Sequence, residues 1–121
     1  MSNELVDLAW FFVQEAGEYI HGFESNLSVK TIRRRFIAHF GISPIHCASL
    51  WHHSSQRLAT IDPYVKTVHL LWTLNVIKTD DTEHLLKGRW GADEKTIRKW
   101  MYVVLDVVGT LGVVCIGLNA M

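Results

Sequence analysis

The amino-acid sequence predicts an all-α fold, a compact bundle of about five to six helices. Apolar residues recur at helical spacing along most of the chain, and only two prolines interrupt its 121 residues. With 49% hydrophobic residues and five tryptophans, a chain of this length can bury a core without disulfides. We expect a single helical domain over residues 1–108. Residues 109–121 are expected to form an apolar C-terminal tail, either a truncated end or a segment folded onto the bundle.

The first helix is expected over residues 4–21, with Gly22 at its end. Trp10 and Phe11 lie off its apolar stripe, which consists of Leu5, Leu8, Ala9, Phe12, Ala16 and Ile20. An apolar surface this wide predicts either packing on both the domain and a partner, or complete burial of the helix.

A candidate helix-turn-helix covers residues 30–58. Its first helix is expected to begin after Ser28, Gly41 makes the turn, Ser43 caps the following helix and Pro44 takes the first position of that helix. The outer side of the first helix carries a basic cluster, Lys30, Arg33, Arg34 and Arg35. Glycine-turn-cap sequences are common between helices, so a plain helical hairpin is the alternative.

Asp62-Pro63 predicts the start of the next helix, because aspartate is a good N-cap and proline is tolerated at the first helical position. This segment has the longest apolar pattern of the chain: Val65, Val68, Leu71, Trp72, Leu74 and Ile77. We therefore predict that it is the central helix.

A helix-turn-helix is predicted over residues 80–108. Asp80 and Glu83 form a capping box, Gly91 makes the turn and Asp93 caps the second helix. The second helix has an apolar stripe of Ile97, Trp100, Met101, Val104, Leu105 and Val108. Lys87 departs from the pattern of DNA-binding motifs, which usually have a small residue there. An antiparallel helical hairpin inside a bundle is the alternative.

The two candidate motifs follow the same order. Each residue of the first motif has a counterpart 50 positions later: Phe40-Gly41 and Trp90-Gly91, Ser43 and Asp93, Cys47 and Ile97, and Leu50 and Trp100. This correspondence predicts a repeated helix-turn-helix unit.

Positive and negative charges are separated along the chain, although the net charge is zero. Residues 1–25 contain five acidic residues and no lysine or arginine. A second basic group accompanies the C-terminal motif: Lys87, Arg89, Lys95, Arg98 and Lys99. Such groups are either solvated helix faces or places where phosphate can dock.

The sequence predicts no enzyme, because it has no glycine-rich phosphate loop, no nucleophilic serine elbow and no carboxylate pair placed for acid-base chemistry. No cofactor and no small-molecule substrate are expected. Cys47 and Cys115 are too few and too far apart for a disulfide framework, which favours an intracellular compartment. No metal site is expected from His46, His52 and His53, because neighbouring side chains on a helix point in different directions.

The apolar residues 107–118 are shorter than the ~20 residues that a membrane span requires, so we expect no membrane insertion.

Four short motifs follow one another along residues 32–108. They are Phe40-Gly41-x-Ser43-Pro44 followed by Cys47 and Leu50-Trp51, His69-Leu70-Leu71-Trp72 with Leu74 and Lys78, Thr82-Glu83, and Asp93-x-Lys95-Thr96-Ile97-Arg98-Lys99-Trp100. In this order and spacing they resemble the N-terminal helical region of eukaryotic DDE-superfamily transposases of the PIF/Harbinger-like type.

In that family, the region precedes an RNase H-like nuclease domain and is taken to bind DNA through a helix-turn-helix, matched here by residues 82–105. The resemblance therefore implies double-stranded DNA as a partner and a nuclear location. It implies no strand cleavage, because the metal-binding carboxylates of the family lie in the nuclease domain and residues 109–121 do not resemble the start of that domain.

The resemblance and the charge pattern together predict three groups of DNA-binding residues. The second helix of the C-terminal motif would contribute Lys95, Thr96, Arg98 and Lys99. Lys87 and Arg89 would clamp the DNA backbone beside it. A second phosphate patch would consist of Arg33, Arg34 and Arg35.

The alternative is that the chain is a truncated transposase remnant. Such a remnant would either act as a protein-interaction module, binding a partner protein or a second copy of itself, or have no activity. The neutral net charge, the Trp10-Phe11 pair and the outward positions expected for Val103 and Val107 favour this alternative.

Overall fold

The computed structural model describes the backbone of residues 2–20, 23, 26–79 and 88–120, and the side chains of these residues except 2, 3, 94 and 109–120. The described residues form an all-helical bundle, and none of them lies in a strand. The predicted fold class is therefore confirmed. Three predicted features lie outside the described residues: the capping box of Asp80 and Glu83, the DNA contact by Lys87 and the helix end at Gly22.

The helices, in chain order, are α1 (Ser2–Gly17), α2 (Val29–Phe40), α3 (Pro44–Ile61), α4 (Thr67–Thr79) and α5 (Glu94–Ala120). Residues 88–90 are also helical and lead into the turn before α5. Helix α1 packs mainly on α3, α2 packs on α4, and α5 packs on both α3 and α4.

Helix α4 is the central helix, as predicted. Its residues from His69 to Asn75 are all buried, so every side of the helix faces protein over two turns. The predicted stripe is less accurate towards the end of the helix, where Ile77 is 57% exposed.

The start of α4 predicted at Asp62-Pro63 is wrong. Asp62 is the C-cap of α3, and its backbone N–H donates to the carbonyl of Leu58. Its Oδ1 accepts from the backbone N–H of Tyr64 at 3.0 Å, which makes a turn of the kind aspartate favours. Helix α4 begins only at Thr67, after this turn.

Helix α1 is also shorter than predicted, and ends at Gly17. The backbone N–H groups of Glu18 and Tyr19 donate to carbonyls three residues back, at 3.2 and 3.1 Å, which tightens the chain into a turn. Ile20 lies beyond the helix but is still buried, as its place in the apolar stripe predicted.

Helix α5 begins after Asp93, as predicted, and continues without a break past residue 108 to Ala120. Its buried side is rotated relative to the predicted stripe, because Met101 and Leu105 are only half-buried. Val107, which was expected to face outward, is only 3% exposed, and Val103 packs against the core. These two residues therefore give no support to an exposed apolar face on α5.

Candidate nucleic-acid interface

The predicted correspondence between the two motifs extends to backbone geometry. Gly41 and Gly91 both have positive φ, +82° and +72°. Each is followed two residues later by an N-cap: Ser43 Oγ accepts from the backbone N–H of His46 at 3.2 Å, and Asp93 Oδ1 accepts from that of Thr96 at 2.8 Å. The corresponding buried positions are Phe40 and Trp90, Cys47 and Ile97, and Leu50 and Trp100. The chain thus contains two equivalent three-residue turns between helices.

The two turns meet at Asn75 in the middle of α4. This side chain is fully buried, and its Nδ2 donates to the carbonyl of His39 at 2.9 Å. Its Oδ1 accepts from Arg89 Nη1 at 2.7 Å and from Trp90 Nε1 at 3.3 Å. His39 and Arg89 are equivalent positions in the two units, so one amide joins the ends of both preceding helices.

Asn75 is not among the residues that the sequence predicts to be functional. It does carry a sequence signal, because an asparagine within the apolar run of a central helix has to find hydrogen-bond partners when it is buried.

The first turns of α5 present a basic, exposed side. Lys95, Arg98, Lys99 and Tyr102 are all exposed, and their spacing places them on one face of the helix. Ile97, Trp100 and Val104 are buried on the opposite face. The helix is therefore held by its apolar face while the cations remain accessible to a ligand.

The other predicted contact residue on this helix, Thr96, is half-buried beside the exposed face. Its backbone N–H is already used by Asp93, so only its side chain remains for a ligand.

Lys99 is held over the bundle but keeps most of its exposure. Its Nζ lies 3.9 Å from Asp62 Oδ2 and 4.9 Å from the centroid of the Trp100 ring, and the side chain is 62% exposed. An ion pair this long, with an exposed ammonium group, contributes only ~0–1 kcal/mol to stability.

Behind Lys99, His69 connects α5 to the start of α4. The His69 ring stacks on Trp100 with 3.9 Å between centroids and 7° between planes. Its Nδ1 accepts from the backbone N–H of Lys66 at 2.9 Å, which completes the N-cap of α4. Burial lowers the pKa of His69 to about 4, and the neighbouring Lys66 adds to this effect.

Arg89 and the α2 arginines occupy different environments. Arg89 is half-buried and its guanidinium is tied to Asn75, so it lies on the core side of the motif. Burial lowers the pKa of His39, and the positive charge of Arg89 adds to this effect. Arg33, Arg34 and Arg35 are exposed along α2, as predicted.

The two repeated units differ in the charge on their second helix. The positions of α3 that correspond to Thr96, Lys99 and Tyr102 are His46, Ser49 and His52, and Ala48, which corresponds to Arg98, is buried. Helix α3 therefore lacks the basic face of α5. If one of the two units contacts phosphate through its second helix, the charge distribution favours the C-terminal one.

In the part of the chain that the structure describes, the His, Cys, Asp and Glu residues include no group of three that could hold a metal ion. Burial raises the pKa of the Cys47 thiol well above its usual range, and the carboxylate of Glu15 adds to the rise. Glu15 itself has a raised pKa, because burial outweighs its hydrogen bond with Thr67.

The helices that the structure describes include none that is both long and apolar enough to cross a membrane. In the comparisons with known proteins, no family model, no curated protein and no solved structure matches the chain.

Proposed function

We propose that this protein binds double-stranded DNA through the first two turns of α5. The observation that carries the proposal is the division of this helix into a buried apolar face and an exposed face of Lys95, Arg98 and Lys99 that follows a short turn. A helix of this kind fits the DNA major groove, which is ~12 Å wide. Residues 95 to 102 span ~10 Å along the helix axis, enough to reach both phosphates and base edges.

The three cations and Tyr102 have separate roles in this proposal. Lys95 and Lys99 lie one turn apart and contact phosphates on one strand, while Arg98 is placed to reach a base edge or a second phosphate. Tyr102 can contact the DNA backbone through its hydroxyl group. Arg89 is not included, because its guanidinium is bound to Asn75. Arg33, Arg34 and Arg35 remain a proposed second phosphate patch.

The resemblance of residues 32–108 to the helical region of PIF/Harbinger-like transposases supports the same function. We infer descent from that region, without catalysis by this chain itself and with nuclear DNA as the target. Cytoplasmic accumulation of the tagged full chain in cells, with no enrichment in the nucleus, would count against this inference.

Duplex binding measured by fluorescence anisotropy over a range of salt concentrations tests the DNA proposal. Each phosphate contact contributes about −0.9 to the slope of log K against log salt. Arg98→Ala with Lys99→Ala should therefore make the slope shallower by up to about two and weaken binding at low salt.

The matched control is Arg57→Ala with Lys78→Ala, which removes two exposed cations from α3 and α4 instead. It should leave both the slope and the affinity close to those of the unmodified chain. Absence of duplex binding by the folded chain at low salt would refute the proposal. So would equal effects of the two double variants.

A further inference from the structure

The turn that joins α3 to α4 begins at Asp62 and ends at Lys66, and it lies beside the basic face of α5. Asp62 Oδ2 is 3.9 Å from Lys99 Nζ. At the other end of the turn, the backbone N–H of Lys66 donates to His69 Nδ1 at 2.9 Å, and the His69 ring stacks on Trp100. Both ends of the turn are therefore connected to α5, one directly and the other through the His69 ring.

Hydrogen bonds within the turn fix its backbone. Asp62 Oδ1 accepts from the backbone N–H of Tyr64 at 3.0 Å, and the Asp62 carbonyl accepts from that of Val65 at 3.2 Å. The backbone N–H of His69 donates to the Lys66 carbonyl at 3.0 Å, which joins the turn to α4. Because the turn is already ordered, a ligand that binds there does not have to order its backbone.

The side chains on the outer side of the turn are accessible, and its carboxylate is the least exposed polar group among them. Lys66 is exposed, and Tyr64 is 77% exposed. The side chain of Asp62, the one acidic residue of the turn, is only 21% exposed. An anion that approaches the turn from solvent therefore meets the ammonium group of Lys66 more readily than the carboxylate.

Lys66 and Lys99 contribute to one region of positive potential. Burial is the main cause of the lowered pKa of His69, and the positive charges of Lys66 and Lys99 both add to it. Two ammonium groups that act on the same imidazole lie on the same side of the bundle. Lys66 therefore extends the basic face of α5 sideways, past Asp62 and onto the turn.

We propose that the turn between α3 and α4 is a second DNA contact, in which Lys66 binds a phosphate of the backbone that flanks the groove occupied by α5. This inference rests on the proposed function of α5. A helix in the major groove, which is ~12 Å wide, has a sugar-phosphate backbone on either side. The turn is held beside Lys99, so it meets the backbone on that side of the helix.

A contact of this kind orients the protein on the duplex and does not read its sequence. Removal of the Lys66 charge should therefore weaken binding to the same extent for duplexes of different sequence. The substitution Lys66→Ala is suited to the test, because the hydrogen bond to His69 comes from the backbone N–H and is kept in the variant. Circular dichroism with thermal unfolding checks that the variant is folded.

Duplex binding by the full chain, measured by fluorescence anisotropy over a range of salt concentrations, tests the contact. Lys66→Ala should make the slope of log K against log salt shallower by about 0.9, the contribution of one phosphate. Between about 50 and 200 mM salt, the variant should then lose about 3.5-fold less affinity than the unmodified chain. Lys66→Arg keeps the positive charge and should restore both the slope and the affinity at low salt.

The matched control is Lys78→Ala, which removes an exposed lysine near the other end of α4, ~18 Å from Lys66 along the helix axis. It should leave the slope and the affinity close to those of the unmodified chain. Equal effects of Lys66→Ala and Lys78→Ala would overturn the proposal. So would a loss of binding in Lys66→Ala that Lys66→Arg does not restore.

The same titrations separate this contact from the proposed role of α5. If Lys66→Ala binds as the unmodified chain does while Arg98→Ala with Lys99→Ala loses slope, the turn is excluded and DNA binding by α5 stands. If the folded, unmodified chain does not bind duplex DNA at low salt, both proposals are overturned.

Discussion

The rings of Phe40 and Trp90 lie 6.3 Å apart in the core of the bundle, at equivalent positions of the two repeated units. Each ring directly precedes a glycine of positive φ. The helix ends that precede the two turns therefore pack against each other, and Asn75 connects them by hydrogen bonds to His39 and Trp90. This arrangement ties the geometry of the proposed recognition helix to the centre of the protein.

Asn75→Leu should lower the free energy of unfolding by about 2–4 kcal/mol. The leucine fills a similar volume but removes the hydrogen bonds of Asn75 to the carbonyl of His39, the guanidinium of Arg89 and the indole N–H of Trp90. Urea unfolding followed by circular dichroism measures the loss. Gln56→Leu on the exposed side of α3 is the control, with a change within about 0.5 kcal/mol. Equal stability of the two variants would show that the Asn75 hydrogen bonds contribute little.

Gly91→Ala should destabilise the protein by about 1 kcal/mol or more, because alanine is strained at a φ of +72°. Gly88→Ala is a nearby control for which we expect the opposite change in stability. Gly88 is helical and exposed, and a Cβ added there meets no atom within 4 Å, so alanine should stabilise by about 0.5–1 kcal/mol. Thermal unfolding of both variants measures the difference, and a Gly91→Ala protein as stable as the unmodified one would contradict the turn geometry.

Acidification from pH 6.5 to pH 4 should reduce stability, in large part through His69. Its pKa is about 4 in the folded protein and near its ordinary value of 6.5 in the unfolded chain. The unfolded state therefore binds the proton first, and stability is greatest above pH 6.5 and is lost as pH falls towards 4. The loss from this group is up to about 3 kcal/mol, and the lowered pKa of His39 adds a change of the same sign.

His69→Phe isolates this effect. Phenylalanine keeps an aromatic ring against Trp100 but cannot accept from the N–H of Lys66, so the variant should be less stable at pH 7. It should lose less stability than the unmodified chain on acidification, and the two unfolding curves should converge towards pH 4. Parallel pH profiles would show that His69 is not the titrating group.

Asp93→Asn should strengthen duplex binding several-fold at low salt. Asparagine keeps the N-cap that Asp93 provides to Thr96, because both side chains offer an oxygen acceptor. The change removes a negative charge from the tip of the proposed recognition helix, beside Lys95. Anisotropy titrations compare the two proteins, with Asp106→Asn farther along α5 as the control. An unchanged or weaker affinity for Asp93→Asn would indicate that the tip of α5 does not approach DNA.

Local sequence patterns determined much of this protein. The sequence predicts Ser43 and Asp93 as caps, a helix that begins after Ser28, and Gly41 and Gly91 as turn residues. These predictions are confirmed, because capping and positive φ depend on interactions within a few residues. The correspondence between the two units followed from the same local signals. The apolar stripes also predict most of the buried residues of α1 and α5.

Only the tertiary structure decided how polar groups and helix faces are used. Asp62 has the sequence properties of an N-cap, but it is the C-cap of α3. Arg89 has the sequence properties of a surface cation, but it donates a hydrogen bond to the buried amide of Asn75 in α4. Val107 is buried because α5 packs against both α3 and α4, which a single apolar stripe does not predict. The spacing of apolar residues predicts the buried face of each helix separately. It does not predict which distant segments come into contact, because those contacts depend on how the helices pack.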